Sequence, residues 1–113
     1  HKSKLESEMS DQPVLEEWNF QVLMLVQALV GAVSANFRMV ALLWCGDEWV
    51  LRFYLEENLE DDVEEIEDIV CQYTAYQNSS LRCRSELIVG SERLPGLSAL
   101  GRVVYRRREA IGS

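Results

Sequence analysis

Residues 56–68 read EENLEDDVEEIED, nine carboxylates in thirteen positions with no Lys, Arg or His among them. Carboxylates so crowded have three chemistries open to them. Paired Asp or Glu do acid and base work when their surroundings push their pKa values apart. Clusters of them hold magnesium or calcium, and rows of them attract cationic groups on another molecule. The first two uses need side chains that converge in a concave pocket, and the run lacks the turn glycine and alternating oxygen ligands of an EF-hand loop. The formal charge of the chain is -8 and this stretch alone carries -9, which leaves about +1 for everything else. The acidity is therefore local.

Other catalytic chemistry is poorly supplied. The single histidine is His1, within HKSKLESE, a stretch without apolar periodicity or turn residues that precedes Met9. Residues 1–8 read as an expression remnant, leaving residues 9–113 as one domain. Without His1 there is no histidine base, no Ser-His or Cys-His pair and no His metal ligand. Cys45, Cys71 and Cys83 are odd in number and lack CxxC spacing, which speaks against a disulfide framework or a zinc site. They read as small buried or half-buried residues in a reducing cytoplasm. No GxGxxG or GxxxxGK stretch is present. The apolar run over residues 22–33, VLMLVQALVGAV, is shorter than the roughly 20 residues a membrane crossing needs, and acidic residues precede it where a signal peptide carries basic ones. The expectation is a cytoplasmic, non-enzymatic protein with no cofactor, no metal and no membrane contact.

The elements that must carry the acidic run follow from periodicity. Ser10 or Asp11 caps a first helix with Pro13 in its first turn. Leu15, Trp18, Val22, Leu25, Val26, Leu29 and Val33 mark its apolar face through to about Ser34. Phe20, Leu23, Met24 and Val30 add a second face, so this helix needs cover on more than one side. Residues 36–55 form a hairpin about Gly46-Asp47, where glycine first suits a II′ turn. Phe37, Met39, Ala41 and Leu43 alternate to one face of its first strand, and Trp49, Leu51, Phe53 and Leu55 to one face of its second. Arg38 and Arg52 lie on the other side. Leu59, Val63, Ile66, Val70 and Tyr73 stack along a second helix over residues 59–76, with Asn58 and Asp61 as a capping box. Residues 81–89 and 102–107 are strand-like, joined by a loop with Pro95-Gly96 as its turn. The order helix, strand, strand, helix, strand, strand predicts a single α+β domain with a mostly antiparallel sheet.

That pattern points Asp61, Glu64, Glu65 and Asp68 to solvent, with Glu60 and Glu67 beside them. Charge runs are commonly solvated faces, yet each like-charge pair three or four residues apart weakens a helix by roughly 0.2–0.5 kcal/mol. The helix dipole rewards only the carboxylates of the first turn. Charges closer than a Debye length of roughly 8 Å act as one field, which would repel nucleic acid and attract a basic protein surface. The candidate partner-binding residues are Glu57, Glu60, Asp61, Glu64, Glu65 and Asp68, with Asp47 and Glu48 at the hairpin tip. Arg102, Arg106, Arg107 and Arg108 read as solvating side chains of a terminal strand in preference to an RNA site.

The stretch LVGAVSANFRMVALLW over residues 29–44, followed by LRFYLEENLEDDVEEIEDI over residues 51–69, resembles a family of small bacterial immunity proteins that neutralise toxin domains, including those of contact-dependent growth inhibition systems. Its most distinctive part is Gly-Ala-Val-Ser-x-Asn-Phe-Arg, residues 31–38. The resemblance implies a cytosolic binding protein without catalytic residues. Such a protein is made beside a secreted toxin and is specific for that toxin's C-terminal domain, often a nuclease. The competing reading is an acidic secretion chaperone that holds an unfolded client and self-associates through its over-apolar first helix. Oligomeric state separates the two.

Overall fold

Trp18, Gln21, Leu25, Ala28 and Leu29 are buried along one face of α1 (Leu15–Leu29) in a computed structural model that describes residues 13–75, 77, 82–94 and 101–107. Val14 stands at the N-cap with no side-chain bond, and its carbonyl accepts the Trp18 N–H at 3.0 Å. Ser10 and Asp11, the expected caps, lie outside the described residues, as do residues 1–8, Tyr76, Leu81, the Pro95-Gly96 turn and Arg108. The helix stops at Leu29, short of Ser34, because a type II turn follows it. Val30 (φ -61°, ψ 120°) and Gly31 (φ 78°) occupy the central positions, and the Ala32 N–H donates to the Leu29 carbonyl at 3.0 Å. A side chain at Gly31 would be strained in that left-handed conformation.

The sheet holds β1 (Phe37–Cys45), β2 (Glu48–Leu55), β3 (Cys83–Val89) and β4 (Gly101–Arg106) in the order β3-β2-β1-β4. β1 runs antiparallel to both β2 and β4, as expected, but β3 is parallel to β2, so the sheet is mixed and not mostly antiparallel. The cause is α2 (Glu60–Ala75), which carries the chain from the end of β2 back to the level at which β2 began. A helical crossover of this kind delivers the next strand parallel to the last. At the hairpin Cys45 faces Glu48 across Gly46-Asp47, with φ 68° at Gly46 and no positive φ at any non-glycine residue described, as a II′ turn requires.

One irregularity reverses a prediction. Phe37 pairs with Leu55 and Met39 with Tyr54, so Arg38 is an extra residue in β1. Beyond it the alternation changes phase. Phe37 therefore shares the helix-covered side with Val40 and Leu42, beside Trp49, Leu51, Phe53 and Leu55 of β2. Met39, Ala41 and Leu43, expected on the Phe37 face, instead join Tyr54 and Leu94 in a small cluster on the opposite side.

The main core lies between the two helices and the sheet. Trp18 meets Trp49 edge-on with ring centroids 5.0 Å apart, Trp49 meets Trp44 at 5.0 Å, and Phe37 meets Phe53 at 6.4 Å. These geometries add to the area that the rings bury. Arg102 of β4 places its guanidinium carbon 4.4 Å from the Trp18 ring centroid, a cation–π contact that closes this end of the core.

Candidate acidic docking face

α2 turns Ile66, Ile69 and Tyr73 inward, with Val63 and Val70 half-buried. Leu59, expected at the head of this stripe, is 43% exposed, and its inward place is taken by Asp62. The Asp62 carboxylate accepts Ser34 Oγ–H and Asn36 Nδ2–H, each at 2.9 Å. Asn36 also donates to the Glu57 carbonyl and accepts the Glu57 N–H, both at 2.8 Å. This clasp ties the first turn of α2 to the segment before β1. A carboxylate there is further favoured by the helix dipole. The bonds at this end run through Asp62, where the sequence pointed to Asp61.

The far end of α2 is held by a buried amide. Tyr73 Oη donates to Gln21 Oε1 at 2.5 Å, and Gln21 Nε2 donates to Glu17 at 2.7 Å. Burial, with Cys83 and Glu17 adding to it, raises the Tyr73 pKa well above the usual tyrosine range, so the phenol stays a neutral donor.

Between these anchors the outer surface presents Glu60, Asp61, Glu64, Glu67 and Asp68, all exposed, with Glu65 half-buried. Among the described residues no ion pair reaches any of the six. Four carboxylates of the sheet and its flanks are treated differently. Asp47 pairs with Arg82 and Glu48 with Arg84, each at 2.7 Å, and Glu56 pairs with Arg107 at 2.8 Å. The hairpin-tip residues are thus engaged within the chain and stand apart from the helix, whereas Glu57 is exposed at the start of the acidic run. Shape matters as much as charge. Glu60 and Asp61 line an open cleft with Ser34, Ala35, Asn36, Leu59 and Asp62, and among the described residues no group of three or more His, Cys, Asp or Glu is placed to hold a metal.

The MafI2 immunity protein family model matches residues 19–109. The chain belongs to that family. No curated protein matches it closely enough to serve as a relative. Membership makes this chain an immunity protein and implies a toxin as its partner. The matched region takes in α1 from its second turn, the Asp62 clasp, the acidic face and the whole sheet. Among the described residues no helix of this MafI2 family member is long and apolar enough to cross a membrane.

Among the described residues of the MafI2 chain, the C-terminal arginines Arg102, Arg106 and Arg107 do not form one patch. Arg102 lies on Trp18, and Arg107 donates to the Ala35 carbonyl at 2.7 Å as well as to Glu56. Arg106 is exposed, paired in register with Met39. The cysteines are half-buried at Cys45 and Cys83 and exposed at Cys71. Burial, then the nearby Glu48, raises the Cys83 pKa, which disfavours a thiolate there.

Sequence reasoning passed over the arginines on the side of the sheet away from the helices. Arg52 Nε bonds Glu86 at 2.7 Å, and Arg84 holds both Glu86 and Glu48. Hydrogen bonds from Arg84 and then Arg52 pull the Glu86 pKa below the ordinary carboxylate range against a small opposing effect of burial. Partial burial works to lower the Arg52 pKa, but the adjoining Tyr54 hydroxyl and Glu86 together raise it. Arg38 and Arg52 had already been placed opposite the apolar strand faces by alternation. Nothing in their spacing revealed that Arg93, from a loop, would join them.

Proposed function

We propose that this immunity protein neutralises a toxin domain with a basic surface, a nuclease cleft being the chemistry that fits best, by laying the outer face of α2 over it. Glu57, Glu60, Asp61, Glu64, Glu65 and Asp68 are the contact residues. The carrying observation is the contrast in pairing: Asp47, Glu48, Glu56 and Glu86 each have an arginine within the chain, and among the described residues the carboxylates of the α2 face have none. A row of uncompensated carboxylates imitates a phosphate backbone, so a site built to hold nucleic acid would accept it. The clasp at Asp62 and the Tyr73–Gln21 bond keep the row in place before binding, which reduces the ordering cost of association.

The combined substitution Glu64→Gln, Glu65→Gln and Asp68→Asn tests this against the toxin domain encoded beside the protein. Association should slow by roughly tenfold or more at low ionic strength, and its salt dependence should flatten. The thermal midpoint should hold or rise, because like-charge repulsion along α2 is relieved. Unchanged association at low salt would reduce the row to a solvated face.

A second reading, the homodimeric secretion chaperone, draws on Leu15, Phe20, Leu23, Val26 and Val30, which are exposed along α1. Sedimentation as a monomer sets it aside.

A further inference from the structure

On the side of the sheet opposite the helices, a cleft of about 400 Å³ opens over the C-terminal end of β2. Arg38, Arg52 and Arg93 line it, with Glu92 the one carboxylate among its described lining residues. Arg38 is 6% exposed, and its Nη1 donates to the Gly90 carbonyl at 3.0 Å. Arg93 is exposed and has no ion pair among the described residues. Ile88, Val89 and Leu94 supply apolar wall.

Tyr54 supplies an independent observation. It lines the same cleft and is 4% exposed, yet its Oη is sealed from solvent and, among the described residues, has no hydrogen-bond partner of adequate geometry. A buried hydroxyl without a partner is costly relative to a satisfied one. A carboxylate entering the cleft would accept from the guanidinium groups, and a small turn of the Tyr54 ring would bring its hydroxyl into the same set of bonds. Charge-assisted bonds of that kind are the stronger class, and the apolar wall suits the methylenes of a glutamate side chain.

We propose that this cleft receives an acidic side chain of the toxin, a second contact whose sign is opposite to that of the α2 face. The inference rests on the immunity reading. The geometry allows one partner to reach the cleft and the first residues of the acidic run, because those two lie at the same end of the sheet. The Gly90 N–H donates to the carbonyl of Leu55, the last residue of β2, and Asn36, two residues before Arg38, bonds Glu57 just ahead of α2. A toxin straddling that end would meet carboxylates on one side and arginines on the other. Such a two-signed contact fixes orientation, since a rotated partner would face like charge.

Glutarate and its neutral analogue glutaramide, titrated into the isotope-labelled full chain by NMR, test the cleft without the toxin. Glutarate should shift the Tyr54 ring and the Arg52 and Arg93 Nε–H signals along one saturable curve, and glutaramide should leave them in place. Combining Tyr54→Phe with Arg93→Gln should weaken glutarate at least fivefold. Shifts spread evenly over Arg82 and Arg106, or no saturation, overturn the proposal. In the toxin arm, Tyr54→Phe alone should leave the thermal midpoint unchanged or higher, because an unsatisfied hydroxyl is removed, while dissociation from the toxin quickens at least threefold. Unaltered dissociation with Tyr54→Phe and with Arg93→Gln overturns the assignment to the toxin. If the wild-type chain does not bind the toxin at all, the immunity reading fails and so does this source of the carboxylate, whereas the glutarate result still decides what the cleft accepts.

Discussion

On the helix side of the sheet, Val40, Leu42, Leu51 and Phe53 are sealed from solvent, and the run of like charge lies one layer out, on the far surface of α2. On the opposite side Arg52, Arg84 and Glu86 lie on the strands themselves, among exposed Ile88 and Val103. The difference teaches where a small domain can keep charge unpaired. Strand neighbours sit about 5 Å apart, so opposite charges on a bare sheet face find one another within the chain. A helix lifts its outer residues away from such neighbours, and a run of one sign on it stays uncompensated.

The comparison is broken most forcefully by truncating an apolar side chain on each side. Phe53→Ala should cost about 3–5 kcal/mol in urea unfolding, whereas Val103→Ala on the opposite side should stay within about 0.5 kcal/mol. Equal losses would mean that both faces carry the fold. Next in size is the clasp. Asp62→Ala strands the Ser34 hydroxyl and the Asn36 amide and should cost about 1–3 kcal/mol, with faster hydrogen exchange confined to the first turns of α2. An unchanged exchange pattern would show that the acidic helix is positioned by its apolar stripe alone.

The smallest effect sharpens the contrast from the arginine side. Because the folded-state pKa of Glu86 is depressed, the stability it contributes is present above the unfolded glutamate value of about 4.3 and is lost as pH falls through the lower folded value. Glu86→Gln should remove that part of the acid limb, by no more than about 1 kcal/mol because the pair is partly solvated. Denaturation midpoints compared at pH 7 and pH 3 would measure it.

Element order and the acidic stripe were legible in the sequence because periodicity reports which face is apolar. Chain direction within the sheet was less so. That a helix links β2 to β3 was visible, but the consequence for β3, that it returns parallel and next to β2, depends on pairing between distant residues. The inward carboxylate was hidden for a different reason. Asp62 resembles its neighbours in type, and only the placement of Ser34 and Asn36 across the clasp marks it as structural. Both belong to the segment whose resemblance to immunity proteins was the most distinctive, so the signal was present without its mechanism. The arginine cleft draws on β1, β2, β3 and a loop, and no window of sequence contains it.

Strand pairing counts by twos, and β1 is given an odd residue to spend at Arg38. Delete that one position and Phe37 would be carried round to the exterior while the remaining strand kept its place. The face that the Phe37 ring takes and the place from which Arg38 reaches the cleft are thus a single backbone decision, set by the one extra position.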